Sequence, residues 1–286
     1  MWGYSNKRGV FFPADPQLNT IFARTHIPCG MLYGMQEHIW EREYRKPKLV
    51  TGGNEPQASV KEFLRWIRRG EPGNDGDLAK SGLGPKRLPF PLEKISILDL
   101  GCGNGKNSNY ICTLDISNRA VGIDISETAL NEARAQAYGM EVEEQSQYFK
   151  HSIGEKLPFP DASFDIALDV TSSNSLNEKE RATYLAEVHR ALKPGGYLFV
   201  RALCKDGDAN AQNLIKMNPG PEKDTYILPG LGLTERVFSK EDFSWVYAGA
   251  GFDILYLDKE THYTKFAGRS YKRNFWIAYL QKKQRS

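Results

Sequence analysis

The run Ile97-Leu98-Asp99-Leu100 is apolar but for one acid, and it breaks at once into Gly101-Cys102-Gly103-Asn104-Gly105-Lys106-Asn107. Such a run reads as a strand of a buried parallel sheet, and the alternate glycines as a turn whose main chain lies against a ligand. Nineteen residues past Gly105 a second apolar run, Ala120-Val121-Gly122-Ile123, ends in Asp124. In doubly wound α/β folds an acid at the tip of the second strand, about 20 residues beyond the glycine loop, binds the ribose hydroxyls of a nucleoside. The pair predicts an adenosine-containing cofactor.

The glycine spacing narrows the choice. A dinucleotide loop has the form G-x-G-x-x-G, and here the third glycine comes one residue too early. An acid two residues before Gly101 would also repel a pyrophosphate. A ligand with an ammonium and a sulfonium suits the loop better. Asp99 can accept a charge-assisted hydrogen bond from the ammonium, and N–H groups at the following helix start can meet a carboxylate.

LDLGCGNGKNS resembles the glycine-rich motif of class I S-adenosylmethionine-dependent methyltransferases, and VGIDIS (121–126) their second motif. Leu157–Ala167 resembles the LPFPDxSFD segment that leads into strand four, and Arg190–Leu198 the turn into strand five. The four motifs stand in family order between about residues 95 and 201. The resemblance implies a doubly wound, mostly parallel seven-stranded sheet with an antiparallel last strand. It also implies S-adenosyl-L-methionine as cofactor and S-adenosylhomocysteine as product.

The site residues follow from the same resemblance. Asp99 is expected at the methionine end of the cofactor, with Gly101, Cys102, Gly103, Gly105 and Asn107 forming the loop and helix start around it. Asp124 is expected on the ribose hydroxyls and Ile125 on the adenine face. Family members often carry an acid at the end of strand three that bonds the adenine amino group. This chain has Ser152 there, followed by Ile153, so a hydroxyl replaces the carboxylate. The tip of strand four, Asp169 to Ser175, should face the transferred methyl, because ligands bind at the carboxyl ends of the strands. Asp169 there either contacts cofactor or acceptor or caps its own loop, and Thr171 and Asn174 are candidates to position an acceptor. His262 is the histidine candidate for a general base, with Tyr263 beside it. Tyr33, Trp40 and Tyr44 are candidates to close over the site, core packing being the competing role.

Methyl transfer from a sulfonium needs alignment more than acid–base chemistry. Orientation alone is worth ~7–11 kcal/mol of barrier, so the absence of an obvious triad is no argument against it.

With 286 residues and 40% hydrophobic content the chain can bury a full core. A net charge of +3 gives no broad basic footprint for nucleic acid, and no apolar run reaches the ~18–20 residues of a membrane span. Cys29, Cys102, Cys112 and Cys204 show neither paired nor metal-like spacing, and His26 with Cys29 makes no set. No metal is expected, and a cytoplasmic monomer or homodimer is. The expected partner is a small-molecule acceptor of the O, N or S kind. A tRNA-modifying enzyme and a noncatalytic binding subunit are the rivals.

Along the chain, residues 1–56 form an aromatic-rich extension with a helix expected at Met31–Arg45, and 57–286 the methyltransferase domain. Val60, Phe63, Leu64 and Ile67 set a helix over Ala58–Arg69, and 71–91 reads as a surface connection. Helices are expected at Ser126–Tyr138, Asn177–Leu192 and Lys240–Ala248. Residues 203–236 read as a polar insertion serving as a substrate lid, and Phe252–Leu257 with Asn274–Leu280 as a final hairpin joined by a polar loop.

Overall fold

The computed structural model describes residues 34–46, 53–69, 94–115, 118–266 and 269–283. The sequence-based expectations for Tyr33, for His26 with Cys29 and for the whole 71–91 connection fall outside these residues.

In chain order the elements are helices α1 (Gly34–Tyr44) and α2 (Ala58–Arg69), strand β1 (Ser96–Leu100), α3 (Lys106–Leu114), β2 (Arg119–Asp124), α4 (Glu127–Gly139), β3 (Ser146–Lys150) and β4 (Phe164–Val170). A single 3-10 turn at Ser173–Ser175 follows, then α5 (Glu178–Ala191), β5 (Leu192–Leu203), α6 (Ala209–Met217), β6 (Thr225–Leu228), β7 (Leu233–Arg236), α7 (Lys240–Gly249), β8 (Phe252–Phe266) and β9 (Arg269–Lys282).

Seven strands form one sheet in the order β3-β2-β1-β4-β5-β9-β8. The first five are parallel, and β9 inserts antiparallel between β5 and β8. This is the doubly wound sheet implied by the motifs. The order reverses between β1 and β4, which puts the ligand crevice above their carboxyl ends. One face of the sheet packs against α5 and α7 through Tyr184, Leu185, Val188, Phe243 and Tyr247. The other packs against α2, α3 and α4, with Phe63 of α2 set between Phe199 and Tyr279 at ring distances of 5.3 and 5.0 Å. The spacing-derived stripe Val60, Phe63, Leu64 and Ile67 is buried, and Trp66 joins it.

Local chemistry explains the helix starts. The Ser126 side chain accepts from Ala129 N–H, and Asn177 and Glu180 close a capping box. The Leu157–Ser163 segment before β4 is held from α5. Arg190 donates to the carbonyls of Leu157 and Phe159 and pairs with Asp161 and Glu187. Lys193–Gly196, which reads as a turn, lies inside β5 where the register to β4 shifts between Phe164 and Ile166.

Two expectations need correction. The 203–236 insertion is not a plain polar loop: it folds as α6, capped by Asp208, followed by the β6–β7 hairpin. Leu203, Ala211, Tyr226, Val237 and Phe275 pack it onto the ends of β5 and β9. The final hairpin is also far longer than its apolar parts, since Asp258–Lys265 continue β8 against Ser270–Ile277 of β9. Those residues extend past the sheet's end, where alternation of polarity no longer reports a buried face.

Candidate active site

β1 delivers Asp99 and Leu100 to the crevice, and the chain then turns through Gly101, Gly103 and Gly105 at φ of +66°, +54° and +72°. At Gly101 a Cβ would collide with the side chain of Ser172, whose hydroxyl bonds the Gly101 carbonyl at 3.2 Å. At Gly103 it would collide with the hydroxyl of Tyr44. The glycines therefore admit two of the chain's own side chains to the loop, one from the tip of β4 and one from α1.

Asp99 is 2% exposed. One of its oxygens accepts from the Ser108 hydroxyl at 2.5 Å, the only side-chain hydrogen bond it makes among the described residues. Burial, with Asp124 and Asp169 nearby, pushes its carboxyl up to about 6 despite that bond. A buried carboxylate that Ser108 alone bonds among the described residues is a ready acceptor for an ammonium group.

Asp124 is 7% exposed and holds the loop. One oxygen accepts from Gly103 N–H and the other from Ser126 N–H, both at 2.9 Å. Burial raises its carboxyl also. Each oxygen keeps a lone pair for a ligand hydroxyl. The residues present thus fit a nucleoside with an amino-acid tail: a carboxylate for hydroxyls, a second one for an ammonium, and main chain between.

α1 lies over this loop. Glu41 accepts from the hydroxyls of Ser126 and Thr128 at 2.8 and 2.5 Å and pairs with Arg45, which holds its carboxyl down at about 2, the Thr128 hydroxyl contributing most. Lys150 reaches Glu37 at 2.6 Å, and Arg42 donates to the Leu231 carbonyl in the β6–β7 turn. α1 therefore bridges the cofactor crevice and the insertion, with Tyr44 on the loop and Trp40 at 6.4 Å from it. Replacing Glu41 by Ala removes the anchor. Amide exchange in α1 is expected to rise about tenfold or more with a melting temperature within about 2 °C of the parent, because local opening is separable from global unfolding.

Several candidates from the sequence face elsewhere. The Cys102 thiol is buried against Gly122 and Tyr148, so only its main chain borders the loop. The Asn107 side chain accepts from Gln57 N–H ahead of α2 and is 4% exposed. Asp169 is fully buried: it accepts from Ser172 and Ser173 N–H and from the Tyr184 hydroxyl, so it folds the tip of β4. Asn174 bonds the Thr171 carbonyl and Leu203 N–H, joining that tip to β5. A short polar side chain in a loop satisfies its own main chain first. Ser152 likewise accepts from Gly154 N–H just past β3, with Ile153 buried beside it.

His262 stands on β8 rather than in a loop, with Nε2 3.0 Å from Glu260. β8 is three strands from β4, roughly 14 Å at the usual spacing. That is a main-chain separation; the imidazole itself is engaged with Glu260, the carboxylate that Arg201 of β5 also bonds. Tyr263 is 73% exposed. Reading by motif missed Ser108, Glu41 and Arg201; of these Arg201 carried a signal, a cation inside the apolar run Tyr197–Leu203.

Residues 97–196 match the family model described as methyltransferase domain. The O-methyltransferase resE of Aspergillus sclerotiorum is 36% identical over 110 residues, 38% of this chain and 40% of that protein. A phthiotriol/phenolphthiotriol dimycocerosates methyltransferase of Mycobacterium tuberculosis is 31% identical over 191 residues, 62% of this chain and 65% of that one. The chain thus spans about two fifths to two thirds of the length of these relatives. Among solved structures, the 1,6-didemethyltoxoflavin-N1-methyltransferase of Burkholderia thailandensis, with bound S-adenosylhomocysteine, aligns at TM-score 0.57 and 14% identity over 97% of this chain and 94% of that one. Residues 97–196 thus carry a methyltransferase domain, and the seven-stranded sheet built on them has the Rossmann-like fold of S-adenosylmethionine-dependent methyltransferases.

Proposed function

We propose that the chain binds S-adenosylmethionine and transfers its methyl group to a nucleophilic atom, oxygen in the first instance, of a small molecule. The observation that carries this is Asp99, a buried carboxylate that Ser108 alone bonds among the described residues, set beside a glycine loop that Asp124 braces. The names of the relatives, an O-methyltransferase among them, support the acceptor class. When bound, the cofactor supplies a methyl group already activated on a sulfonium.

The chain's own residues then have three tasks. Asp99 holds the ammonium, in its ionised form, and Asp124 the ribose hydroxyls. Ile125 and Ile153 offer apolar contact to the base. α1, tied down by Glu41 and Lys150, covers the loop and excludes water. The tip of β4, locked by Asp169 and Asn174, gives a rigid wall against which an acceptor is aligned, and alignment is the main contribution to rate. Among the described residues none beside that tip is set as a general base, which suits an acceptor that arrives ionised or ionises readily.

The test is a methyl-transfer screen with isotope-labelled cofactor, against small-metabolite extracts and total RNA in parallel. Label in low-molecular-weight products supports the reading. Label in RNA alone, or in neither with cofactor binding intact, contradicts it.

A further inference from the structure

Arg201 leaves β5 beside the tip of β4: Val170 is its neighbour in register, and its carbonyl accepts from Thr171 N–H at 2.8 Å. It is 9% exposed. A guanidinium at that depth must be paired or it destabilises the fold. The buried Arg181 and the half-buried Arg190, Arg236 and Arg273 meet the requirement through their terminal nitrogens. Arg190 has four such bonds, Arg181 reaches the Leu176 carbonyl and Glu222, Arg236 reaches Asp242, and Arg273 reaches the Tyr226 hydroxyl.

Arg201 differs. Its Nε donates to Glu260 at 3.3 Å, and its plane lies 3.4 Å from the centre of the Phe275 ring. Its two terminal amino groups have no hydrogen-bond partner among the described residues. Glu260 is shared, since its other oxygen lies on His262. Lys106, at the head of α3, sits in the same field: burial first and Arg201 next lower its ammonium. Arg273 adds a like charge from β9. The ring of Phe275 and the Nε bond fix the guanidinium plane, which leaves a planar pair of donors unbonded among the described residues, one strand from the reaction wall. That arrangement matches a carboxylate in two-point contact, and a lysine could not reproduce it.

We infer that Arg201 is the specificity residue of the acceptor site and that the acceptor carries a carboxylate, bound two-point to the terminal nitrogens of Arg201. The inference deepens the methyltransferase reading and rests on it. A carboxylate could equally come from the methionine tail of the cofactor, so the experiment separates the two sources.

Affinity of the full chain for S-adenosylhomocysteine is measured first, for the parent, Arg201→Gln, Arg201→Lys and the exposed control Arg65→Gln. Each protein, saturated with that nucleoside, is then titrated calorimetrically with matched probes: benzoate against benzamide, and octanoate against octanamide. At least one acid should bind ten times or more tighter than its amide. Arg201→Gln should erase that preference, Arg201→Lys should keep part of it, and Arg65→Gln all of it. Nucleoside affinity should change less than twofold in every variant.

No preference for either acid in the parent, or a preference that survives in Arg201→Gln, overturns the inference. A tenfold loss of nucleoside affinity in Arg201→Gln overturns it too, by giving the arginine to the cofactor. Melting curves of both variants guard against misfolding, with Arg201→Lys keeping the charge if the glutamine variant does not fold. Failure of the parent to bind the nucleoside at all would instead sink the methyltransferase reading, a distinct outcome.

Discussion

Asp99→Asn is expected to weaken S-adenosylmethionine binding roughly 30- to 100-fold at pH 7.5 and, at the same time, to raise the melting temperature of the ligand-free protein. The loss follows from a charge-assisted hydrogen bond, worth about 2–3 kcal/mol when one partner is ionised. The gain follows from burial. With its carboxyl pushed up to about 6, Asp99 is ionised at neutral pH inside a fold that disfavours the charge. The penalty is on the order of 3 kcal/mol, and removing it should add roughly 5 °C.

The sign with pH is definite. A carboxyl raised in the folded state favours folding most at low pH, and that contribution is lost as pH climbs from about 4 through about 6. Binding runs the other way, because an ammonium selects the ionised form. Affinity should fall about tenfold per unit below about pH 6 in the parent and stay flat in the Asn variant. Calorimetry across pH 5 to 8, with melting scans on the same samples, checks both. A variant that binds normally, or that melts lower than the parent, would remove Asp99 from the ammonium.

Asp169→Ala should do the opposite kind of damage. Three donors, Ser172 N–H, Ser173 N–H and the Tyr184 hydroxyl, converge on that carboxylate in a fully buried place. Leaving them unpaired costs about 3–5 kcal/mol, or a melting temperature lower by about 10 °C. The folded fraction should still bind S-adenosylmethionine within about threefold of the parent, since no ligand contact is removed. Unchanged stability with abolished turnover would instead place Asp169 at the reacting atoms.

What was legible in the sequence was whatever local spacing controls. The Ser126 cap, the Asn177–Glu180 box and the alternation of strands and helices from Ile95 onward follow from neighbours in the chain. The glycine loop and Asp124 stand where two motifs place them. The polar residues at the strand tips were not legible, because a loop Asp or Asn reads alike whether it faces a ligand or turns back on its own main chain. Asp169 and Asn174 turn back, and Asn107 is taken by the distant main chain at Gln57. The direction of the Cys102 thiol was not legible either, because the turn past β1 sends it under Gly122. The insertion was misjudged for a different reason: α6 and the β6–β7 hairpin gain their core only from Leu203 and Phe275, residues far apart in sequence. Arg201 is the counter-example, since a cation within an apolar strand announces an unusual environment without saying which partner meets it.

The measurement that bears most directly on the whole account is a crystal structure of the full chain grown with S-adenosylhomocysteine. The ribose hydroxyls are expected within hydrogen-bond distance of Asp124 and the amino group on the Asp99 carboxylate, with Gly101–Gly105 against the ligand's mid-section. A nucleoside bound elsewhere, or lying in the crevice with neither carboxylate touching it, would contradict that placement.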